Sequence, residues 1–379
     1  GAILLDRMAD VYPDMNIKDW SNSEWRYPNS TGGAPAGKDL GRIWAGFTAE
    51  IYADAYDAFY PMYEDPYVIK FLSDKASYYD MENDKTTAAK LRSNGADGIC
   101  REIFEACKSA HVHGNFGIHQ GALIKAAIAL DDEKDTAAMI DWLYAAESTD
   151  NVSFNTGGDV SRRLLQTVYR DGMNTESPYY NQMGLSDLID SAVALERYAR
   201  EKGGIDKTML LEHPKYLGLF NCFQTMVRVE RGGGTIADTG YALNYMEYPT
   251  VAPLLKAFKN TQGDPERLEE NIKMAQQLKL NFGEELKKQH YDIWTKNPES
   301  VYEEVMDTIE TYGDRDWNKS SIMTGYGFGF LRDGELHKAL NTSGVRDTTR
   351  GFTLNFSGHH QHNHADMLDL QIDSYGLPF

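Results

Sequence analysis

Tyr326-Gly327-Phe328-Gly329-Phe330-Leu331-Arg332-Asp333-Gly334-Glu335 is the stretch at which the chain changes its pattern. Aromatic residues alternate with glycine at period two, and Arg-Asp-Gly-Glu is turn chemistry, so the segment reads as strand and turn. Downstream, Phe352, Leu354 and Phe356 alternate, and so do Leu368, Leu370 and Ile372, which is the period of half-buried strands. Upstream the period is that of a helix. Leu40, Ile43, Trp44, Phe47 and Ile51 follow i, i+3, i+4, i+7 spacing up to a stop at Pro61. Asp264-Pro265 starts another helix, with Leu268, Ile272 and Ala275 on one face. A third begins after Ser186, runs through Leu188-Ile189 and Ala192 to Leu195, and ends at Gly203-Gly204. Clusters at Asn29 to Gly37, Asn155 to Gly158 and Arg231 to Gly240 separate such segments, and no fixed repeat links them. The expected fold class is therefore mainly α. An array of antiparallel helical hairpins over residues 1–317 is followed by the first strands of an antiparallel β domain over 318–379. So few strands leave edges open, so more β structure is expected beyond Phe379.

A chain of 379 residues can bury a large core, and 41% hydrophobic with 25% charged residues is ordinary for a globular protein. No apolar run reaches the length of a membrane span, and no signal-peptide pattern is present. The opening Gly1-Ala2-Ile3-Leu4-Leu5 reads as an element already under way, as in a trimmed chain. Cys100 and Cys107 stand seven residues apart in a helical stretch, roughly 10 Å along the axis and too far to bridge, and Cys222 stands alone. A net charge of -19 excludes nucleic acid as an obvious partner. It also requires any acidic polymer to meet a locally positive groove.

Near the C-terminus the chain reads His359-His360-Gln361-His362-Asn363-His364-Ala365-Asp366. In an extended segment His362, His364, Asp366 and Leu368 share a face. Two imidazoles and a carboxylate on one face are zinc-ligand chemistry, and equally a catalytic imidazole beside a metal-bound one. A surface turn or tag remnant is the bland alternative, but a tag would not be followed by an alternating strand.

The pattern His-x-His-x-Asp-x-Leu, followed by an alternating strand and Gly376, resembles the motif of heparinase II/III-type polysaccharide lyases and related alginate lyases. The resemblance implies an (α/α) toroid of helical hairpins, here incomplete, joined to an antiparallel β-sandwich domain. It implies a catalytic role for His362 and a structural zinc on His364, with the remaining ligands on later strands and no organic cofactor. His359 and His360 are extra to the motif.

Two further windows carry the resemblance. His111-Val112-His113-Gly114-Asn115-Phe116-Gly117-Ile118-His119-Gln120 is similar to the segment that neutralises a uronate carboxylate. Matched on Asn-aromatic, Asn115 has that role; matched on His-Gly with the later Gln, His113 has it, although Val112 then stands where alginate lyases carry Asn. His119 and Gln120 follow as substrate-binding candidates, with Asn115 and His119 read as one helix face at i, i+4. The plainer reading makes Asn115 a helix cap and His119 a core histidine. Asp171-Gly172-Met173-Asn174-Thr175-Glu176-Ser177-Pro178-Tyr179-Tyr180 resembles the family's Asp-Gly…Glu-Gly-Pro-x-Tyr stretch, with Ser177 in place of Gly. Tyr180 matches the catalytic tyrosine and Tyr179 is its alternative, while Glu176 orients the loop. Among 23 tyrosines a Tyr-Tyr pair alone would signify packing. Arg163, with Arg162, Arg228 and Arg231, is a candidate cation for the groove, though each singly is the kind of residue that solvates a surface.

The chemistry implied is β-elimination from a uronic-acid-containing polysaccharide. Asn115 or a histidine neutralises the carboxylate, so that the C5 proton can leave. Tyr180, its pKa drawn below about 10 by neighbouring cations, is the base, and it or His362 protonates the leaving oxygen. An acidic polysaccharide partner places the protein in a periplasm or outside the cell. Two other classes fit less of the sequence. One is a toroid glycoside hydrolase using Glu176 and Asp238, and the other is a glycan-binding protein of the same fold without catalysis. The polymer, endo or exo action and oligomeric state are not legible. Gly32 to Lys38 is not a phosphate loop, since its spacing is wrong and no strand precedes it.

Overall fold

The computed structural model describes residues 1–17, 37–41, 43–146, 156–181, 185, 188–226, 250–290, 297–313, 319–333, 350–357, 367–375 and 377–378. They form a mainly helical architecture with a small antiparallel sheet. The chain divides into two compact units, Gly1–Arg162 with Ala194–Lys207, and Arg163–Val193 with Thr208–Phe379. No described helix is long and apolar enough to cross a membrane.

The first unit contains α1 (Ala2–Val11), α2 (Ala45–Phe59), α3 (Pro66–Tyr78), α4 (Ala88–Gly95), α5 (Glu102–Lys108), α6 (Ile118–Leu130) and α7 (Glu133–Tyr144). Residues Ala96–Arg101 widen into a π turn between α4 and α5. There Gly98 lets the backbone of α1 approach, because a Cβ at that position would fall 2.1 Å from the Ala9 carbonyl oxygen. Helix α6, IHQGALIKAAIAL, is apolar nearly all round and is the buried centre of this unit. Its one charged residue, Lys125, meets Glu50 at 3.2 Å and Asp54 at 2.8 Å, two carboxylates spaced i, i+4 on α2. Only Asp131 and Asp132 separate α6 from α7, so the pair returns as a helical hairpin. Asp131 adopts the left-handed conformation at φ 46°, and Asp132 caps α7 through the amides of Lys134 and Asp135.

Helix α2 departs from its sequence reading. It starts at Ala45, and it buries Ala45, Gly46, Ala49, Ala53 and Tyr56, while Trp44 and Ile51 are largely exposed. A stripe of small residues lets α2 lie close against the largely apolar α6, and that contact outweighs burying the larger side chains on the other face. At its other end the α-helix stops at Phe59, just before Pro61 as the sequence implies, and the chain tightens into a 3₁₀ turn, Tyr60–Glu64.

The remaining elements are α8 (Val160–Gln166), α9 (Pro178–Asn181), α10 (Ile189–Lys202), α11 (Pro214–Thr225), α12 (Val251–Thr261), α13 (Leu268–Phe282) and α14 (Pro298–Tyr312). α10 ends where the double glycine predicts, with Gly203 and Gly204 at positive φ. Asp264 caps one 3₁₀ turn before α13 begins, and Ile272 and Ala275 are buried as expected. Buried amides join the helices of the second unit. Gln277 on α13 donates to the Phe220 carbonyl at 2.8 Å and to Asn221 Oδ1 at 2.7 Å on α11. Asn271 donates to the Phe258 carbonyl at 2.8 Å and to Thr261 Oγ1 at 2.9 Å, closing the end of α12.

Strands β1 (Ser321–Met323), β2 (Phe328–Asp333), β3 (Arg350–Asn355), β4 (Leu370–Ser374) and β5 (Leu377–Pro378) form an antiparallel meander in sequential order. The period-two alternation is present, but the buried face of β3 is the polar one. Gly351, Thr353 and Asn355 are buried, whereas Phe352 and Leu354 are exposed. Register places Leu331, Phe352 and Ile372 side by side, and likewise Leu354 and Leu370. An apolar stripe therefore runs across the exposed face of the sheet, while Phe328, Phe330, Thr353 and Asp373 face inward.

Candidate functional site

Most of the described candidate residues fall in two clusters, one in each unit. In the first, residues 111–117 are a turn leading into α6. Gly117, at φ 111°, precedes the helix, and its amide donates to Gln120 Oε1 at 2.9 Å. Gln120 Nε2 donates in turn to the Gly158 carbonyl at 2.9 Å. Gln120 is wholly buried, and both ends of its amide are engaged by backbone. Its amide thus holds this turn in place.

His113 and His119 stack, with ring centroids 4.8 Å apart and planes 21° off parallel. The Gly114 amide donates to His119 Nδ1 at 3.4 Å, so the neutral ring of this buried histidine carries its proton on Nε2. His113 is half-buried. Asn115 lies outside the helix, and its carbonyl accepts from the Ile118 amide at 3.1 Å. It therefore does not share a helix face with His119 as its spacing implied, because α6 starts three residues later than that reading requires. The half-buried Asn115 side-chain amide makes no hydrogen bond among the described residues. Val112, at the position where an Asn would be wanted, is fully buried.

The second cluster is the segment from Val168 to Asn181. Val168 and Asn174 pair as an isolated bridge, and the Tyr169 amide donates to the Met173 carbonyl at 2.7 Å. Gly172, at φ 88°, presses on α11, where a Cβ would fall 2.3 Å from the Gly218 carbonyl oxygen. The Glu176 amide donates to Asn174 Oδ1 at 2.7 Å, and the Asn174 amide to Asn181 Oδ1 at 3.0 Å. These bonds close a small loop whose outer turn is α9, Pro178–Asn181. That turn presents Tyr179, exposed, and Tyr180, half-buried, with their rings edge to face at 5.7 Å. The Glu176 backbone carbonyl accepts from the Tyr326 hydroxyl at 3.0 Å. Ser177, which stands where the resembled motif has Gly, is buried with a hydroxyl unpaired among the described residues.

Arg163 sits half-buried on α8, and its carbonyl accepts from the Thr167 hydroxyl at 2.7 Å. Arg162 is held by Asp159 through two bonds of 2.6 and 2.5 Å. Burial pushes the Cys100 thiol up to about 12 and those of Cys107 and Cys222 further still, so none of the three is a nucleophile. All three are free thiols.

His359, His360, His362 and His364 lie outside the described residues, as do Arg228, Arg231 and Asp238. The catalytic reading of His362 and the zinc reading of His364 rest on the sequence. Among the described residues no three metal-ligating side chains are gathered. Asn174, Asn181 and Tyr326 were not singled out from the sequence. Compared with models of known protein families and with curated proteins, the chain matches none.

Proposed function

We propose that this protein is a polysaccharide lyase that cleaves uronic-acid-containing polymers by β-elimination, its helices belonging to an (α/α) toroid and its strands to an antiparallel β-sandwich domain. The observation that carries the reading is Asn115, whose side-chain amide makes no hydrogen bond among the described residues and stands in the turn that Gln120 holds and that also bears His113 of the stacked His113–His119 pair. A fixed donor of this kind suits an anionic carboxylate whose charge grows as the C5 proton leaves. Asn115 is the neutralising donor, and His113, two residues earlier in the same turn, shares the charge. Tyr180, on the pinned α9 turn, removes the proton. Tyr180 or His362 then protonates the leaving oxygen, giving a 4,5-unsaturated uronate end. Arg163 belongs to the cations that receive the polymer, and the exposed Tyr179 offers a ring to a sugar face. In the family resembled, the histidine corresponding to His364 binds a structural zinc. Here that would steady the segment bearing His362, and the elimination consumes no water for a metal to activate. A polymeric substrate places the protein in a periplasm or outside the cell.

The test is to incubate the protein with alginate, heparan sulfate, chondroitin sulfate and ulvan and to follow the ultraviolet absorbance of the new C4–C5 double bond. Product with one of them, abolished by Tyr180→Phe and reduced at least a hundredfold by Asn115→Ala, is the expected result. Full activity in Tyr180→Phe removes Tyr180 from the mechanism, and no product from any uronate polymer overturns the reading.

A further inference from the structure

A cleft of about 510 Å³ opens beside α1 in the first unit, with α3 and the segment that follows it as the other wall. That volume is in the range of small-ligand sites. Its closed end is polar. Lys85 is buried, with its backbone in the left-handed conformation at φ 53°. Its ammonium bonds Asp6, and both Asp10 oxygens at 2.7 and 2.8 Å. Asn94 donates to Asp6 Oδ1 at 3.0 Å and to Asp10 Oδ1 at 2.9 Å. Asp6 has no exposed surface, so Asp10 is the carboxylate that an occupant can meet.

The mouth has the opposite sign. Arg7 is largely exposed and stands 3.8 Å from Asp10. Lys75 is exposed and forms no ion pair among the described residues. Its ammonium lies 5.8 to 6.0 Å from the ring centres of Phe71, Tyr78 and Tyr79. Tyr67, Phe71, Lys75 and Tyr78 fall at helical spacing along α3, and Tyr67, Tyr78 and Tyr79 are each about two-thirds exposed or more. The occupant must therefore combine an apolar face, a hydrogen-bond donor and a negative group. A plain hydrocarbon would take the remaining solvent from Asp10 without offering it a donor. A phosphate drawn to the floor would meet two carboxylates for one ammonium.

We propose that this cleft is an accessory binding site for an acidic sugar unit, separate from the residues assigned to catalysis and resting on the polysaccharide-lyase reading. The C–H face of the pyranose lies on Tyr79 and Phe71, its carboxylate meets Lys75 and Arg7, and a hydroxyl donates to Asp10. On a chain of net charge -19 such a local pair of cations is what an acidic polymer needs in order to settle.

The experiment is electrophoresis of the folded chain through native gels containing alginate, chondroitin sulfate or heparan sulfate, alongside the ultraviolet product assay on the same polymers. Lys75→Ala, Tyr79→Ala and their double variant change only exposed side chains, and unchanged far-ultraviolet circular dichroism checks that each is folded. The expected result is retardation of wild type by one polymer, weakened at least fivefold in the double variant. Turnover of short oligosaccharides stays unchanged and the KM for polymer rises. Turnover with retardation equal in wild type and double variant overturns the accessory site and leaves the lyase reading standing. Cleft-dependent retardation without any unsaturated product overturns the lyase reading and supports the site as a glycan-binding surface. Absence of retardation in every polymer overturns the site.

Discussion

Asp171 and Tyr326 clamp the tyrosine-bearing loop from both ends. One Asp171 carboxylate oxygen accepts the amides of Gly325 at 2.9 Å and Tyr326 at 3.0 Å. The Tyr326 hydroxyl returns to the Glu176 carbonyl at 3.0 Å. The turn between β1 and β2 is thus fastened to the segment that carries Tyr180.

Breaking the clamp should cost stability. Asp171→Ala leaves the partly buried Tyr326 amide without its acceptor and should lower unfolding free energy by about 1–3 kcal/mol. Tyr326→Phe should cost about 1 kcal/mol. Because both bonds fasten one loop, the double variant should lose less than the sum, as urea denaturation would show. Strict additivity would mean that the two bonds act independently.

Gln120 should matter more than its distance from any chemistry implies. Gln120→Leu leaves the Gly117 amide and the Gly158 carbonyl unpaired in a buried setting, at a cost of roughly 2–4 kcal/mol. A shift in the thermal midpoint should accompany a lost response at His113 and Asn115, visible as changed amide resonances. A neutral Gln120→Leu would show that water replaces both bonds.

Acid should loosen α11. His213 caps that helix, its Nδ1 accepting from the Lys215 amide at 3.3 Å. Burial, and then the Lys215 charge, hold its pKa below the ordinary 6.5. The unfolded chain thus takes up the proton first. The cap contributes fully above pH 6.5, and its contribution falls as pH drops through the lower folded value. His213→Asn keeps a cap and removes the titration, so its denaturation midpoint should lose less between pH 7 and pH 5 than that of wild type. Equal losses would assign the slope to other groups.

The exposed apolar stripe on the sheet should bind a hydrophobic dye in the native state. Leu331→Thr with Phe352→Thr removes two neighbours at 65% and 48% exposure, and it should reduce dye fluorescence while shifting stability by no more than about 0.5 kcal/mol. A large loss of stability would show that the stripe is packed in solution.

The two clusters were legible to different degrees. The motif window around Tyr180 announced Glu176 and Tyr180, but the bonds that position them run to Asn181, seven residues beyond Asn174, and to Tyr326, 150 residues beyond Glu176. The window around residue 113 contained both histidines, yet the helix start that separates Asn115 from His119 followed from a positive-φ glycine and a buried glutamine. Neither carries a hydrophobic period. The histidine run, the most specific signal in the chain, lies outside the described residues.

By itself the sequence determined what short-range sterics and capping decide: Asp264-Pro265 leading into α13, Gly203-Gly204 ending α10, and strand periodicity after Ile322. Tertiary structure alone decided which face of each element goes inside. The small-residue face of α2 is buried because α6 offers it a close apolar partner. The polar face of β3 is buried while Phe352 and Leu354 remain outside. Periodicity shows that an element has two faces, but only the element packed against it selects between them. For the same reason Asp171, 154 residues before Gly325, could not be seen as a clamp until the chain had folded.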